Sequence, residues 1–377
     1  MFKMIQIYLN AIIGAVYMLL GMINPKDEYK YIAPSQTLIN QYLKPEKVLL
    51  SNNAAYAVNY LPKSYSKRGT IDYTKYLQKA IDENEFIVLP DFPISINRAG
   101  LSIGSSKTIV FQKNSQIIYE GPANGKIWDI IKIYNVQDVN IINANIVGSR
   151  YSKEKQSGEW SAGISVLNSR NVIIRNPKIS DTLGDGIFIG SEDGGVSENV
   201  QVTGGWINNV RRNGISITSG RNVFLNNILI SNTNGTAPEA GIDIEPSIEP
   251  EFIENVNLTN IYTFNNKVSG IAVNMNALST EKTKDVKFIS ITISNHTDVG
   301  SAYAFGTSLN ENKKLFDAKG VINITNPKWE KSRNDLYWKS NNQQSILINI
   351  TNINSSNKEK KDKLENFLKE QPNFKLR

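Results

Sequence analysis

Two carboxylate residues, Asp243 and Glu245, stand two positions apart in a phrase whose other copies along the chain lack this pairing. Residues at i and i+2 of a β-strand face the same side and lie about 6.6 Å apart along the strand. An acid and a base with water reacting between them, as in inverting glycoside hydrolysis, are separated by roughly 6.5–9.5 Å. The pair therefore predicts hydrolytic chemistry at a solvent-facing site, with Asp243 and Glu245 as acid and base in an open order.

Other charged residues fall near this pair when the copies are aligned. Asp185 and Glu239 are predicted as auxiliary carboxylates, and Arg212, preceded by Arg211, as a clamp on an acidic substituent of the substrate. Crowded carboxylates raise one another's pKa, which supplies the protonated acid that glycosidic cleavage requires.

Several of these residues have a second interpretation. Asp185 and Asn213 occupy equivalent turn positions, where Asx side chains commonly cap backbone groups, and the two arginines are compatible with ordinary surface charge. No cofactor is predicted, although a carboxylate cluster also suits Ca²⁺, which prefers oxygen ligands. That alternative stays open.

Aromatic residues and the single histidine are weighed separately. Phe188 and Trp160 are candidates to stack on sugar rings, although an aromatic residue more often serves ordinary packing. His296 is the only histidine and lies at least two repeats from the carboxylates, which disfavours a histidine-dependent mechanism.

A repeated phrase positions these residues: a small residue or Asp/Asn, then Gly-Ile-x-[Ile/Val]. It occurs at 162–166, 185–189, 213–217, 240–244 and 269–273, and its isoleucines are 23, 28, 27 and 29 residues apart. A second phrase, Asn/Asp-Val, keeps step with it at 138, 171, 199, 222, 255 and 285. Self-similarity at this period indicates a solenoid. Isoleucines at alternate positions indicate strands, so the expected fold is an all-β parallel β-helix.

Composition is consistent with this fold. The 377 residues include 42 basic and 35 acidic side chains, for a net charge of +7. This balance is compatible with an acidic polymer as partner. Nucleic acid is disfavoured because the basic residues are scattered and not interleaved with aromatics. The chain has no cysteine, so its composition leaves the redox compartment open.

The ends divide the chain into four segments. Residues 1–24, with an apolar run at 4–23, are predicted as a signal peptide or membrane anchor, so the protein is expected to be exported to the periplasm, the cell surface or the medium. Residues 25–70 are an irregular lead-in, 71–353 the β-helix domain, and 354–377 a charged tail. Asp72 is predicted to cap a short helix at 73–82 that covers the first coil.

The helix from Asp72, the strand at 86–90 that ends in proline, and the Asn-Val and Gly-Ile coils resemble the pectate-lyase-like right-handed β-helix superfamily. That resemblance covers about residues 70–350 and implies a right-handed solenoid and a polysaccharide substrate. The superfamily includes hydrolases, lyases, epimerases and tailspike depolymerases, and some tailspikes are homotrimers. The Gly-His-Gly, Asn-Thr-Asp and Arg-Ile-Lys phrases of polygalacturonases are absent here.

The predicted function is a carbohydrate-active enzyme that cleaves a polysaccharide, as a glycoside hydrolase using paired carboxylates. One alternative is a lyase or C5-epimerase acting on a uronate, with an arginine or metal neutralising the carboxylate. Another is a non-catalytic glycan-binding surface protein. The sugar, the linkage, trimerisation and a membrane tether through residues 4–23 stay open.

Overall fold

The repeated Gly-Ile phrase forms the strands of one parallel sheet. In a computed structural model of the protein, Ile187, Ile215 and Ile242 are direct partners on neighbouring coils, and all three are fully buried. Because parallel strands pair in register through backbone hydrogen bonds, a repeat in the sequence becomes a column of equivalent residues in space. The predicted parallel β-helix is confirmed.

The structure describes residues 29–121, 129–152, 161–248, 250–278, 287–309, 318–340, 346–355, 357–371 and 374–376. The predicted signal peptide or anchor at 1–24 and the aromatic candidate Trp160 lie outside these residues. Within them, no helix has the length and apolar character needed to cross a bilayer.

The described strands follow one another in three-strand coils. The first fifteen, in chain order, are β1 (Ala55–Tyr56), β2 (Phe86–Val88), β3 (Pro93–Ile96), β4 (Leu101–Ser102), β5 (Lys107–Val110), β6 (Gln116–Tyr119), β7 (Ile131–Tyr134), β8 (Gln137–Ile142), β9 (Asn145–Val147), β10 (Ile164–Leu167), β11 (Arg170–Arg175), β12 (Lys178–Ser180), β13 (Ile187–Gly190), β14 (Ser197–Thr203) and β15 (Trp206–Asn208). The rest are β16 (Ile215–Ile217), β17 (Gly220–Asn226), β18 (Leu229–Ser231), β19 (Ile242–Ile244), β20 (Ile253–Thr259), β21 (Tyr262–Phe264), β22 (Ser269–Asn274), β23 (Lys287–Ser294), β24 (Thr297–Val299), β25 (Tyr303–Leu309), β26 (Ala318–Thr325), β27 (Lys328–Lys331), β28 (Asn334–Ser340), β29 (Ile346–Thr351) and β30 (Phe374–Leu376).

These strands form three parallel sheets around one core. Sheet A has the order β1-β2-β5-β8-β11-β14-β17-β20-β23-β26-β29-β30. Sheet B runs β3-β6-β9-β12-β15-β18-β21-β24-β27, and sheet C runs β4-β7-β10-β13-β16-β19-β22-β25-β28. The Gly-Ile phrase builds sheet C and the Asn-Val phrase builds sheet A. Sheet B consists mainly of three-residue strands, which carry too few residues to stand out as a repeat.

The glycine of the phrase is required by close packing. A Cβ atom on Gly214 would lie 2.2 Å from Cγ2 of Ile230 and 2.5 Å from the carbonyl oxygen of Gly241. Gly186 is equally confined, because its Cβ would lie 2.5 Å from Cγ2 of Ile207. Any larger residue would push sheet C away from the isoleucines of sheet B.

The Asx residue of the second phrase forms a ladder along the solenoid. The side-chain amides of Asn171, Asn199, Asn222 and Asn255 each donate to the Asx oxygen one coil earlier, at 2.9, 3.0, 3.0 and 2.7 Å. The ladder begins at Asp138, and all five residues have a positive φ of 53–60°. Asn and Asp tolerate this left-handed backbone better than other residues with a Cβ.

Three α-helices and two 3₁₀ turns accompany the described strands: α1 (Gln36–Tyr42), α2 (Thr74–Glu83), α3 (Lys358–Glu370), and the 3₁₀ turns Ala57–Tyr60 and Asn276–Leu278. The predicted capping helix is observed as α2. Its N-cap residue is Tyr73 and not Asp72 as predicted, because the helix begins one residue later, at Thr74. Asp72 instead accepts a hydrogen bond of 2.9 Å from the backbone N–H of Thr74 from the position before the cap, and Leu77, Ala80 and Ile81 are fully buried.

The lead-in is a strap across the coils. The carbonyl of Tyr42, the last residue of α1, accepts from the N–H of Gly205 at 2.8 Å. Next to it, the N–H of Lys44 donates to the side chain of Asn176 at 2.7 Å. These contacts join residues more than 130 positions apart, so the described part of the lead-in, residues 29–70, is part of the folded unit.

The charged tail closes the other end of the solenoid. Leu364 and Leu368 of α3 are buried in the core, and Phe374 of β30 pairs with Ile348 of β29. The charged residues of this segment cover an apolar face that ends the core, as terminal elements of a solenoid do.

The Asn ladder is expected to stabilise the fold measurably. Asn222→Ala removes two ladder bonds and places a Cβ-bearing residue without a local hydrogen bond at φ 55°. We expect a loss of about 1–3 kcal/mol in the free energy of unfolding, because a left-handed alanine costs about 1–2 kcal/mol and each bond adds to it.

Asn222→Gly should cost less, since glycine accepts this backbone. Gln201→Ala on the exposed face of sheet A is the control and should change little. Chemical denaturation measures all three, and equal effects of the alanine and glycine variants would show that φ is not the constraint.

Candidate active site

The side chains that follow the phrase isoleucine form a column on the outer face of sheet C. Strand pairing places Phe188, Ser216, Asp243 and Ala272 directly beside one another, with Ser165 beside Phe188. This is the alignment that the repeat predicts. Asp243 therefore has a serine on one side and an alanine on the other.

Asp243 and Glu245 lie together on this face, as predicted, but they do not face open solvent. Their exposed fractions are 2% and 6%. Neighbouring coils cover them: Asn213 donates to Asp243 at 3.1 Å and Asn274 donates to Glu245 at 2.7 Å. The expectation of solvent-facing carboxylates was wrong because the adjacent columns carry side chains long enough to close over them.

Asp243 and Glu245 lie within interaction range, since each carboxyl group shifts the pKa of the other. Oδ1 of Asp243 is buried without a hydrogen-bond donor among the described residues. The carboxyl separation of about 6.6 Å expected from the strand spacing stays a prediction, because that figure describes the strand backbone and not the side chains. We call Asp243 and Glu245 the carboxyl dyad.

Burial and mutual repulsion hold a proton in the dyad. Desolvation raises the pKa of Asp243 from 3.8 to about 7, with Arg212 opposing the rise. Desolvation and the Asp243 charge raise the pKa of Glu245 well above its ordinary value. Because each carboxylate charge disfavours ionisation of the other group, protonation of the pair extends to near neutral pH.

Arg212 is bound to Asp185 inside the protein. Its Nη1 lies 3.0 Å from Oδ2 and 3.3 Å from Oδ1 of Asp185, and both side chains are at most 5% exposed. Burial raises the pKa of Asp185, and the Arg212 charge opposes that rise. Nη1 also donates to Ser216 at 3.3 Å. The guanidinium predicted as a substrate clamp thus holds a carboxylate of the chain itself.

Asp185 also performs the structural role that the sequence left open. Its Oδ1 accepts the backbone N–H of Asn213 on the next coil at 3.0 Å, and Asn213 in turn accepts the N–H of Ala240 at 3.0 Å. Asp129 accepts the N–H of Ala162 in the same way, at 2.7 Å. An Asx residue two positions before the strand isoleucine therefore ties one coil to the next.

Asp129 was missed by the sequence analysis. It accepts from Tyr134 and Ser165, and desolvation raises its pKa to about 6. The segment Asp129-Ile130-Ile131 is a copy of the phrase in which isoleucine replaces glycine. Matching the Asx and second aliphatic positions alone would have found it.

The other predicted residues lie around this cluster. Glu239 is turned away from the dyad, since it accepts from the N–H of Gly235 at 2.5 Å and pairs with Lys267 at 2.8 Å. Arg211 donates to the carbonyl of Leu183 at 3.5 Å. Phe188 is half-buried in the column that contains Asp243. The expected common patch thus contains Asp185, Arg212 and the dyad, but the Glu239 carboxylate is engaged outside it.

His296 is buried in the core, away from this face. It lies 2.9 Å from Thr263 and accepts from Trp329 at 3.0 Å, and desolvation lowers its pKa to about 3. Nearby Asp298 accepts from Thr263 and Ser301 at 2.6 Å each. This second polar cluster, absent from the sequence analysis, fills the core between β21 and β27.

No group of three or more Asp, Glu, His or Cys side chains in the described ranges has an arrangement that would hold a metal ion. Arg212 binds Asp185, and the amides of Asn213 and Asn274 donate to Asp243 and Glu245, whereas Oδ1 of Asp243 has no donor among the described residues. Calcium binding stays a prediction from the sequence, since the described residues provide no set of ligand side chains for it.

The dyad should make the stability of the fold depend on pH. The pKa of Asp243 is higher in the folded state, about 7, than in the unfolded chain, so its stabilisation is complete below about pH 4 and is lost as pH rises through 7. In the Asp243→Asn variant, the free energy of unfolding should fall less steeply between about pH 4 and pH 8 than in the wild type.

Denaturation at stepped pH measures this slope. Asp362→Asn, on the exposed side of α3, is the matched control and should keep the wild-type slope. An unchanged slope in Asp243→Asn would contradict the raised pKa.

Arg212→Met should destabilise the protein by about 3–5 kcal/mol, because it leaves Asp185 buried without a cation. Asp185→Asn together with Arg212→Met should recover part of the loss, since the amide carries no charge. Arg221→Met breaks the half-exposed pairs with Glu198 and Glu254 and should cost about 1 kcal/mol or less. Equal effects of the two methionine variants in chemical denaturation would refute a buried ion pair.

Comparison with known proteins gives one family model and several distant relatives. Residues 94–256 match the model described as a right handed beta helix region. The uncharacterized protein YclG of Bacillus subtilis (strain 168) is 30% identical over 190 residues, which are 45% of this chain and 31% of that protein. The match thus spans less than a third of that relative.

Two solved structures are similar in fold. PfbA, a surface adhesin of Streptococcus pneumoniae, has a TM-score of 0.51 at 13% identity over 79% of this chain and 83% of its own. The tailspike protein gp49 of Acinetobacter baumannii bacteriophage Fri1, a capsular polysaccharide depolymerase, has a TM-score of 0.53 at 14% identity over 80% of this chain and 60% of its own. Identity this low bears on the fold alone. The strand pairing shows a parallel β-helix, and residues 94–256 match the model of a right-handed β-helix region.

Proposed function

We propose that this protein is a glycoside hydrolase that cleaves a polysaccharide on the outer face of sheet C. The observation that carries the proposal is the carboxyl dyad, which holds a proton near neutral pH beside the Asp185–Arg212 ion pair. A protonated carboxyl group next to an ionised one is the arrangement that general acid and base catalysis of glycosidic cleavage requires.

The dyad is the general acid. Glu245 carries the proton, while the amide of Asn274 donates to Glu245 at 2.7 Å and orients that carboxyl group. Because the pKa of Asp243 is about 7, the pair can release a proton to a leaving oxygen at ordinary pH.

Asp185 is the base. Arg212 opposes the effect of burial on its pKa and so favours the ionised form. Asn213 links it to the dyad, since its backbone N–H donates to Asp185 at 3.0 Å and its side chain donates to Asp243 at 3.1 Å. Their strands are two coils apart, or about 9.6 Å, which is near the upper end of the roughly 6.5–9.5 Å between acid and base in an inverting hydrolase.

In the proposed reaction, the dyad gives its proton to the glycosidic oxygen as the bond from that oxygen to the anomeric carbon breaks. A water molecule adds to the anomeric carbon and gives its proton to Asp185. The products are a free hydroxyl group and a new reducing end. Proton exchange with solvent returns the proton from Asp185 to the dyad, so no other reactant is needed.

The column around the dyad suits a chain of sugars. Ser216 and Ala272 are the smallest neighbours of Asp243, and the half-buried ring of Phe188 lies two coils away, or about 10 Å. On the other side, Tyr303 and Tyr337 pack edge to face at 5.6 Å and cover Ala272. Ser216 and Ala272 are themselves buried, so the half-buried rings of Phe188, Tyr303 and Tyr337 are the apolar surface that this face offers to pyranose rings.

The two neighbours support a glycan as ligand and an extracellular location. One is described as a capsular polysaccharide depolymerase and the other as a surface adhesin. We therefore propose export, with the apolar residues 4–23 as signal peptide or tether.

The burial of the dyad favours a second candidate, a glycan-binding protein without catalysis. At exposed fractions of 2% and 6%, Asp243 and Glu245 have to become accessible before a glycosidic oxygen can reach them. If they remain covered, the cluster has only a structural role. The protein would then resemble the adhesin PfbA in function as well as in fold.

Activity on a panel of acidic and neutral polysaccharides tests these candidates. We expect new reducing ends and no absorbance near 230 nm. Absorbance at that wavelength would indicate the unsaturated product of a lyase. Asp243→Asn and Glu245→Gln should each lower the rate by about 10²–10⁴-fold, because they remove the general acid.

Glu254→Gln, a carboxylate of sheet A that pairs with Arg221, is the control and should leave the rate unchanged. Cleavage that persists in the dyad variants would refute the assigned acid. Absorbance near 230 nm would replace hydrolysis by elimination, and binding without cleavage would favour the second candidate.

A further inference from the structure

A second cationic residue, Arg150, lies at the turn between sheets B and C, beside the proposed site. It is 8% exposed. Its Nη1 donates to the backbone oxygen of Asn209 at 2.8 Å and to the side-chain oxygen of Asn209 at 3.3 Å, and its Nη2 donates to Asn234 at 2.6 Å. All of these acceptors are neutral amides.

Arg150 is therefore a buried cation whose hydrogen bonds do not neutralise it. Among the described residues, acceptors serve three of the five N–H groups of its guanidinium. Desolvation lowers its pKa, and the charges of Asp181 and Glu239 act against that. Both carboxylates are engaged elsewhere: Asp181 accepts from Asn209 at 2.6 Å, and Glu239 binds Lys267 at 2.8 Å.

A second arginine reaches the same point. A Cβ atom on Gly235 would lie 3.2 Å from Nη2 of Arg150 and 3.0 Å from Cγ of Arg211. Arg211 directly precedes Arg212, which holds the proposed base Asp185. Gly235 thus lies between the guanidinium of Arg150 and the aliphatic part of Arg211, one residue away from the proposed catalytic cluster.

Exposed aromatic surface adjoins these cations. Tyr151 is 70% exposed, its ring lies 5.6 Å from the guanidinium of Arg150, and its hydroxyl accepts from Asn209 at 2.7 Å. Tyr31 of the strap is 46% exposed and its hydroxyl accepts from Asn208 at 3.5 Å. A flat ring beside a partly satisfied guanidinium can stack on a sugar while the cation binds its acidic group.

We propose that Arg150 and Tyr151, supported by Asn209 and Asn234, form a subsite for a carboxylate-bearing sugar of the glycan. Arg150 binds the carboxylate through the N–H groups that the amides leave free, and Tyr151 stacks on the pyranose ring. This subsite selects an acidic polysaccharide as ligand, whereas the carboxyl dyad determines only which reaction takes place. The assignment of a glycan rests on the proposed function, but binding at this subsite does not require cleavage.

The purely structural alternative is that Arg150 only joins the turns at Asn209 and Asn234. The two roles differ in what they predict for ligands. A structural link affects stability and leaves the preference between acidic and neutral glycans unchanged, whereas a carboxylate subsite determines that preference.

The test measures binding of a glucuronate-containing tetrasaccharide and of its carboxyl-reduced form to the full chain by titration calorimetry. We expect the wild type to prefer the acidic form. Arg150→Gln should weaken binding of the acidic form by about tenfold to hundredfold, with little effect on the reduced form, because it removes a charged hydrogen-bond donor. Arg150→Lys should give an intermediate loss, since lysine cannot bind a carboxylate in two-point fashion.

Lys113→Gln, an exposed lysine near the first coils, is the control for net charge and should leave the preference intact. Tyr151→Ala, at an exposed position, should weaken the binding of both tetrasaccharides. It is the variant to test if Arg150→Gln does not fold. Equal loss in Arg150→Gln and Lys113→Gln, equal binding of both sugars to the wild type, or no binding of either would overturn the subsite. None of these results bears on cleavage, which the dyad variants test separately.

Discussion

The in-register stacking of parallel coils is the constraint on which the rest of the structure depends. Each coil repeats about 4.8 Å from the last, and backbone hydrogen bonds allow no drift between equivalent positions. Residues one repeat apart in the chain therefore become neighbours in a column. The isoleucines form the core in this way, the Asx residues form ladders at the turns, and Asp243 stands beside Ser216 and Ala272.

The same stacking creates the electrostatic problem of the candidate site. Columns on sheet C bring Asp185, Asp243 and Glu245 into one buried cluster with Arg212 as its cation. Ionising every carboxyl there would leave a net negative charge in a medium of low dielectric constant. The raised pKa of Asp243 and of Glu245 relieves this repulsion, because a protonated carboxyl group adds no charge. The same raised pKa supports the proposed general acid.

Much of this cluster follows from the repeat. Aligning the isoleucines was sufficient to place Asp243 and Ser216 in one column and to associate Arg212 with the carboxylates. The geometry of the side chains did not follow. Burial of the dyad depends on Asn213 and Asn274 reaching over from other coils, and the direction of Glu239 depends on Lys267, 28 residues away. Such contacts depend on rotamers and on packing between coils, which a one-dimensional alignment does not contain. Arg150 illustrates the same point, because its partners lie two and three coils further along.

The sequence by itself determined that the chain is a parallel solenoid, which residues face inward, and which columns carry charge. It could do so because strand periodicity and repeat length are local properties, which can be read from the sequence of each coil separately. Only the tertiary structure decided which charged residues meet, which become buried, and that the lead-in and tail are integral to the fold. Those outcomes depend on contacts between coils, over separations from 27 positions for Arg212 and Asp185 to 132 for Lys44 and Asn176, and on the loss of water around groups that the sequence leaves exposed.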